Sequence, residues 1–268
     1  MPELPEVETI VKYLKPKIRG KRILRLWSNT PRLFRQGKNL NELNKLLTGQ
    51  TILNATRAGK NIVLILNSQF NLYIHLMMTG KLLWNHPRLN EKHIRFFMKL
   101  SGKNTLALHD IRKFGWIRLI KKENSSDTHT NKDALSVSFE VFKNALRLRR
   151  VKIKNALLNQ KIVQGIGNIY SDEILWYAGI KPLRPTNTLN KAEIKRVYSA
   201  MKMVLNTAIR KGGTSMRDYR KPDGQEGGYY PIRKVYQREG EKCQRDGAII
   251  KRIKIGGRSA HFCPYHQR

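Results

Sequence analysis

The sequence predicts an α+β chain in two parts: a leading helix with an antiparallel β-sandwich or barrel, then a helical part that closes on a β-hairpin. Three observations carry this. Apolar residues at Val7, Ile10, Val11 and Leu14 recur with the period of one helix face. From Lys21 to about Ile120 the pattern changes to short β-rich runs broken by polar turns, with no helical periodicity between them. Beyond the polar stretch 121–132 (KKENSSDTHTNK), helical periodicity returns and dominates.

The chain opens Met1-Pro2-Glu3-Leu4-Pro5-Glu6, with proline and acids where the first turn of a helix accepts them, and Pro16 is expected to end that helix. Runs at 62–66, 72–76, 94–100, 106–108 and 116–120 read as strands, with turn signals at Asn67-Ser68, Thr79-Gly80 and Ser101-Gly102. A domain boundary is expected near 125–135. Helices follow at 139–147, 154–159, 169–177 and 191–210, the last with Asn190 and Glu193 spaced as a capping pair and Gly212-Gly213 at its end.

Two loops and a hairpin stand out. Gly165-Ile166-Gly167-Asn168 precedes a helix start, where glycines let the backbone approach an anion and Asn168 can cap the helix while bonding a phosphate oxygen. Simple turn chemistry accounts for the same glycines. Residues 214–230, rich in Gly, Arg, Asp and Tyr, are too polar for a core. Gly256-Gly257 between two strand-like runs signals a hairpin with Arg258 at or just past its tip.

Charge narrows the partner. Lys+Arg number 53 against 19 Asp+Glu among 268 residues, a net +34, which points to a polyanion. An anionic membrane is disfavoured because no run of about 18 apolar residues occurs. Two cysteines make no disulfide framework, which favours a reducing, intracellular setting. Nucleic acid is the expected partner, and a basic structural protein stays open on charge alone.

The first residues also carry chemistry. With Met1 removed, Pro2 presents a secondary amine that can attack an electrophilic sugar carbon and form an iminium unable to lose its charge by deprotonation. Such a cation acidifies the neighbouring C–H, so one group serves glycosidic cleavage and strand-breaking elimination. Glu3 and Glu6 lie within one turn and can move protons. On these six residues alone, helix initiation is the better explanation of the pattern.

Together the terminal PELPEVET, the Gly-x-Gly-Asn-Ile-Tyr helix start and the C-terminal hairpin resemble the bacterial formamidopyrimidine-DNA glycosylases, which excise 8-oxoguanine and ring-opened purines. The likeness spans essentially the whole chain. It implies a β-sandwich with its leading helix over 1–130, a helix–two-turn–helix domain over 131–235, and a zinc-finger-like hairpin over 236–268. It implies Pro2 as the Schiff-base nucleophile at C1′, Glu3 as proton donor, Glu6 as a supporting acid, Lys60 for β-elimination and Arg258 for δ-elimination. Met78, Arg112 and Phe114 match the residues that fill the gap left by an extruded base. His93, Arg149, Lys154 and Asn168 match phosphate contacts, and 214–230 matches the segment that closes over an oxidised purine. That segment favours this branch over the pyrimidine-preferring endonuclease VIII branch. A catalytically inactive DNA-binding protein of the same fold is the alternative from another class. The resemblance further implies a monomer acting on damaged duplex DNA in the cytoplasm, at the nucleoid.

One departure concerns zinc. The family's site is two Cys-x2-Cys pairs, whereas this chain offers Cys243, Asp246, Cys263 and His266 at the same spacing. All four are chemically able to bind zinc. A zinc-bound hairpin and a metal-free one held by apolar packing are both compatible with that set.

Overall fold

The computed structural model describes residues 1–35, 39–86, 91–124, 132–216 and 218–268. Most of the polar stretch 121–132, and much of the span expected to hold the domain boundary, lie outside the described residues. The chain forms two compact units, Met1–His129 with Gly212–Gly227, and Thr130–Lys211 with Gly228–Arg268.

In the first unit, α1 (Leu4–Ile18) starts with a capping box between Glu3 and Glu6, and Pro5 sits where its missing N–H has no intrahelical partner to lose. Pro16 does not end this helix as the sequence suggested; it lies inside the last turn, and Arg19 N–H still donates to the Lys15 carbonyl. A proline in a helix interior costs about 3 kcal/mol. Complete burial of Ile18 one turn edge later returns a comparable amount, about 1.5–3 kcal/mol.

The strands are β1 (Ile23–Ser28), β2 (Ile52–Ala58), β3 (Asn61–Leu66), β4 (Phe70–His75), β5 (Lys81–Trp84), β6 (Ile94–Leu100), β7 (Thr105–His109) and β8 (Trp116–Lys121). They make two four-stranded antiparallel sheets, ordered β1-β6-β7-β5 and β2-β3-β4-β8. Period-2 alternation decides the faces. Ile62, Leu64 and Leu66 of β3 join Leu26, Phe96, Met98 and Leu108 of the other sheet, together with the buried face of α1, in one core. Val63 points the other way, into a smaller cluster with Ala58 and Tyr73.

A short helix between β1 and β2 is absent from the sequence reading. Here called α2, it spans Leu40–Leu47, with Asn39 accepting from Glu42 N–H at 3.0 Å and only Leu43 and Leu47 buried. Asn44 on this helix clamps the backbone of Leu26 through both amide atoms, at 2.9 and 3.1 Å.

The second unit contains α3 (Phe139–Arg147), α4 (Ile153–Leu158), α5 (Asn168–Ala178), α6 (Lys191–Arg210) and the hairpin β9 (Lys251–Ile255) and β10 (Arg258–Phe262). The capping box at Asn190 and Glu193 forms as its spacing suggested. Gly256 and Gly257 have φ of 55° and 78°, the double left-handed turn of a two-residue hairpin, and Arg258 pairs with Ile255 just past it. Asn168 is the first residue of α5, not its cap; Gly167 takes the cap position without a side-chain bond.

Residues Gly212–Gly227, placed by sequence with the helical domain, belong to the first unit. Tyr219 joins the sandwich core, and Thr214 N–H donates to Glu6 Oε1 at 2.7 Å. A buried carboxylate needing donors outweighs sequence proximity to α6.

Candidate active site

Pro2, Glu3 and Glu6 are all buried at the head of α1. Glu6 holds two pieces of backbone at once: Oε2 accepts from Glu3 N–H at 2.7 Å and Oε1 from Thr214 N–H at 2.7 Å. Its carboxylate therefore ties the terminal residues to the start of the 212–227 loop, a positioning task that the sequence reading, which saw a proton shuttle, did not contain. Gly213 is required beside it: φ is +85°, and a Cβ there would lie 2.9 Å from Glu6 Oε1. Within the loop, Gly227 N–H donates to Ser215 Oγ at 2.8 Å, and a Cβ on Gly227 would overlap the Gly213 carbonyl oxygen at 2.3 Å. Burial, and then the Glu6 charge, pushes the Tyr219 hydroxyl pKa far up, so it stays a donor to the Gly212 carbonyl at 3.1 Å.

Lys60 occupies the turn between β2 and β3. Arg57 braces that turn, donating to Gly59 O at 3.0 Å and to Glu8 of α1 at 2.8 Å. His75, opposite Asn61 on β4, was not singled out from sequence. Its ring stacks on Trp116, with centroids 5.1 Å apart, and Nδ1 accepts from Met77 N–H at 3.0 Å. Burial first, then Lys60, Arg35 and Arg118, lower its pKa to about 4. At neutral pH it is an uncharged imidazole whose proton sits on Nε2, a hydrogen-bond donor in the electrostatic neighbourhood of Lys60.

The connections β4–β5 and β7–β8 are gathered by Asp110, which is fully buried. One carboxylate oxygen accepts from Thr79 Oγ1 at 2.5 Å and Arg112 N–H at 3.2 Å, the other from Gly115 N–H at 2.8 Å. This brings the expected gap-filling trio together. Arg112 Nη1 lies 3.7 Å from Met78 Sδ, and its guanidinium sits 4.6 Å over the Phe114 ring. Met78 and Phe114 are 37% and 44% exposed, so neither is a core residue. His93, with φ of 87°, places Nδ1 3.1 Å from Arg95, whose Nε–H donates to the Asp110 carbonyl at 2.9 Å. Asp110 organises all of this and gave no motif signal beyond its place in His109-Asp-Ile-Arg.

In the second unit, Arg149 and Arg258 are exposed. Asn168 is half-buried, and Nδ2 donates to Ser259 Oγ of β10 at 3.3 Å. Lys154 corrects the sequence expectation of a phosphate contact. It is completely buried, with Nζ 2.5 Å from Asp172 Oδ1 and 3.1 Å from Ser171 Oγ. Asp172 Oδ2 in turn accepts from the backbone N–H of His261 at 3.0 Å and lies 2.9 Å from its Nδ1. The lysine therefore docks α4 and the hairpin onto α5. The next residue, Glu173, accepts from the backbone N–H groups of Lys234, Val235 and Tyr236 at 2.8, 2.9 and 3.0 Å.

The ligand atoms of Cys243, Asp246 and Cys263 lie within 4.8 Å of one another. His266 does not join them; its Nε2 is 2.8 Å from the Trp176 carbonyl oxygen and 2.9 Å from Arg245. The donor chemistry of the three fits zinc. Trp176 Nε1–H donates to Cys243 Sγ at 3.4 Å and His266 N–H to Cys263 Sγ at 3.3 Å, bonds that favour thiolates and orient them. In the metal-free protein, burial pushes the Cys263 thiol up to about 11, and it donates to Asp246 at 3.1 Å.

Comparison with known proteins agrees with this arrangement region by region. Residues 1–117 match the formamidopyrimidine-DNA glycosylase N-terminal domain, 131–220 the H2TH domain of the same enzymes, and 240–264 the zinc finger found in these glycosylases and isoleucyl-tRNA synthetases. The chain is 37% identical to the formamidopyrimidine-DNA glycosylase of Streptococcus mutans and 38% to that of Solibacter usitatus, covering 100% of each chain in both cases. Among solved structures, it matches a mutant Lactococcus lactis enzyme in complex with Fapy-dG DNA at TM-score 0.90 and 36% identity, with 100% of both chains covered. A complex of MutM with DNA containing carbocyclic 8-oxo-G matches at TM-score 0.89 and 36% identity, again over 100% of both chains. With the fold, the organisation of the site and full-length similarity in agreement, the chain belongs to the formamidopyrimidine-DNA glycosylase family.

Proposed function

We propose that this protein excises oxidised purines from duplex DNA and then cuts the strand at the resulting site. One observation carries the reading: buried Pro2 and Glu3 share the head of α1 with Glu6, whose carboxylate also anchors the 212–227 loop. The nucleophile and the segment expected over the lesion are thus held by one side chain, a pre-organisation that a DNA-binding protein without chemistry has no use for.

In protein freed of Met1, the Pro2 nitrogen attacks C1′, the glycosidic bond breaks, and the base leaves with a proton supplied by Glu3. The nitrogen gives up its proton, and the C1′–O4′ bond opens as the nitrogen lone pair forms the C=N bond. The ring oxygen takes a proton, and the opened sugar is held as an iminium. Loss of the acidified C2′ proton expels the 3′ phosphate, and a second elimination expels the 5′ phosphate. Lys60 and Arg258 are the cations assigned to these two steps. Lys60 also keeps the terminal amine in its neutral, nucleophilic form. Met78, Arg112 and Phe114 occupy the gap left by the extruded nucleotide, and His93, Arg149 and Asn168 contact phosphates.

Cys243, Asp246 and Cys263 hold one zinc per chain, and His266 is the remaining donor offered by the sequence. When bound, the metal cross-links the two ends of the hairpin segment. Metal content should fall at least tenfold in Cys243→Ser and distinctly less in His266→Ala. Equal retention of zinc by both variants and the wild type would remove this assignment.

Borohydride trapping on duplex containing 8-oxoguanine tests the catalytic reading. A covalent adduct is expected with the mature protein and lost both in Pro2→Gly and in protein retaining Met1. Lesion binding without adduct or strand cleavage makes the protein a binder only. A parallel duplex with thymine glycol is informative because a wild-type Lactococcus lactis relative, matching at TM-score 0.89, has been solved with DNA containing an oxidised pyrimidine. Faster excision of thymine glycol than of 8-oxoguanine would reassign the substrate.

A further inference from the structure

We propose that the end of the N-terminal unit remote from Pro2 and Glu3 is a second binding surface for double-stranded DNA. It is formed by Arg19, Lys21, Arg22, Arg25, Lys99 and Lys103. The inference concerns a surface outside the catalytic site and goes beyond the excision chemistry.

The topology separates the two ends. α1 runs 15 residues, Leu4–Ile18, between its caps Glu3 and Arg19, about 22 Å at the usual helical rise. β2 runs the opposite way, from Ile52, whose carbonyl accepts from Gly20 N–H at 2.8 Å, to Ala58 near Lys60. β6 and β7 repeat the pattern: His93 and Asp110 lie at one end, and the turn Ser101-Gly-Lys-Asn104 at the other.

The cations converge at that far turn. Arg22 N–H donates to Ser101 Oγ at 3.0 Å, and Ser101 N–H to the Arg22 carbonyl at 2.9 Å. A Cβ on Gly102 would lie 3.3 Å from Lys21 Nζ, and Lys103 is the next residue. Arg25 stands directly opposite Lys99 across β1 and β6, and both are exposed. Like charges facing each other on a sheet are destabilising.

Among the described residues, no ion pair offsets these charges. The segments that meet here, 15–28, 47–53 and 96–106, contain no aspartate or glutamate. An unscreened cluster of this kind, held at the expense of cross-strand repulsion, is complementary to a dense line of phosphates. A bilayer is the poorer fit, because Leu24 and Leu53 are the exposed large apolar side chains among these segments and give little surface to insert. A protein holding one duplex at its lesion site and touching another here can pass between segments without first dissociating.

The test is the quadruple variant Arg22→Gln, Arg25→Gln, Lys99→Gln, Lys103→Gln, whose altered side chains are all exposed. Excision of 8-oxoguanine from a short duplex that fills only the lesion site should be unchanged. Dissociation of wild type from a labelled long duplex should accelerate as undamaged competitor duplex is added, whereas the variant should lose that dependence. Its affinity for undamaged DNA should fall less steeply with salt, with a log–log slope lower by about 3–4 for four lost contacts. Identical competitor dependence in the two proteins overturns the proposal. So does loss of binding to phosphatidylserine vesicles with DNA transfer intact, which assigns the surface to membranes. Failure of the glycosylase reading shows separately, as absent excision in both proteins.

Discussion

Asp110 and Asp172 are both buried carboxylates, and the protein uses them in opposite ways. Asp110 in the first unit is surrounded by neutral donors: a threonine hydroxyl and the backbone N–H groups of Arg112 and Gly115. Asp172 in the second is paired with a buried lysine and with His261. Glu173, the neighbour of Asp172 on α5, follows the Asp110 pattern and gathers three consecutive loop amides. The difference therefore tracks the task rather than the unit. A carboxylate that gathers amides fixes the course of a loop, since several short bonds converge on one point. A carboxylate paired with a long cationic side chain spans the gap between whole elements, here α4, α5 and β10.

The two devices should fail differently, and the largest effect belongs to the ion pair. Lys154→Met leaves Asp172 buried without its main counter-charge, at a cost of about 3–5 kcal/mol in urea unfolding. Lys154→Met combined with Asp172→Leu should recover most of that loss, because a matched apolar pair carries no desolvation penalty. Asp110→Asn puts an amide NH2 against backbone donors and should cost about 1–3 kcal/mol. Its stronger signature is weaker binding of lesion duplex, through displacement of Arg112 and Phe114. A Lys154→Met protein of wild-type stability and reduced DNA affinity would restore the phosphate reading and dissolve the contrast.

His75 sharpens the comparison, since it is a half-buried titratable group of the first unit with cations but no carboxylate among the causes of its shift. Its folded pKa of about 4 lies below the ordinary 6.5, so between those values the unfolded chain binds more protons than the folded one. Stability from this group is complete above pH 6.5 and is lost as pH falls towards 4. At pH 5 the loss relative to pH 7 should be about 2 kcal/mol. His75→Gln should remove that component, and unfolding midpoints of both proteins at the two pH values give the answer. Parallel losses on acidification would show that His75 is not the group responsible.

Legibility followed periodicity and covalent chemistry. The face of α1, the capping box of α6 and the Gly-Gly hairpin each have a local cause that a sequence displays. β1, β2 and α2 do not, because ILRLWS and ILNATRA interleave charged and polar residues, and α2 buries only Leu43 and Leu47. At the site, residue types that perform chemistry were visible, whereas their organisers were not. Asp110, Asp172 and His75 act through partners 31, 18 and 41 positions away (Thr79, Lys154 and Trp116), and no spacing rule connects such pairs. Lys154 shows the same limit from the other side, since its surroundings, not its charge, decide whether it can meet a phosphate.

The smallest effect concerns a polar group that is not fully satisfied. Asn168 Nδ2 donates to Ser259 Oγ, while Oδ1 is buried without a partner among the described residues. Turning the amide over lets the Ser259 hydroxyl donate to Oδ1 and puts Nδ2 at the buried position that Oδ1 held, where an anion at the start of α5 would be its acceptor. Ser259 is then a positioning residue that selects the phosphate-binding face of Asn168. Ser259→Ala should lower affinity for lesion duplex about fivefold at fixed salt, near 1 kcal/mol, whereas Asn168→Ala should lower it further. In the double variant the serine effect should vanish, because no amide remains to orient. If Ser259→Ala weakens binding equally with and without Asn168, the hydroxyl contributes through the hairpin itself, and the amide orientation plays no part.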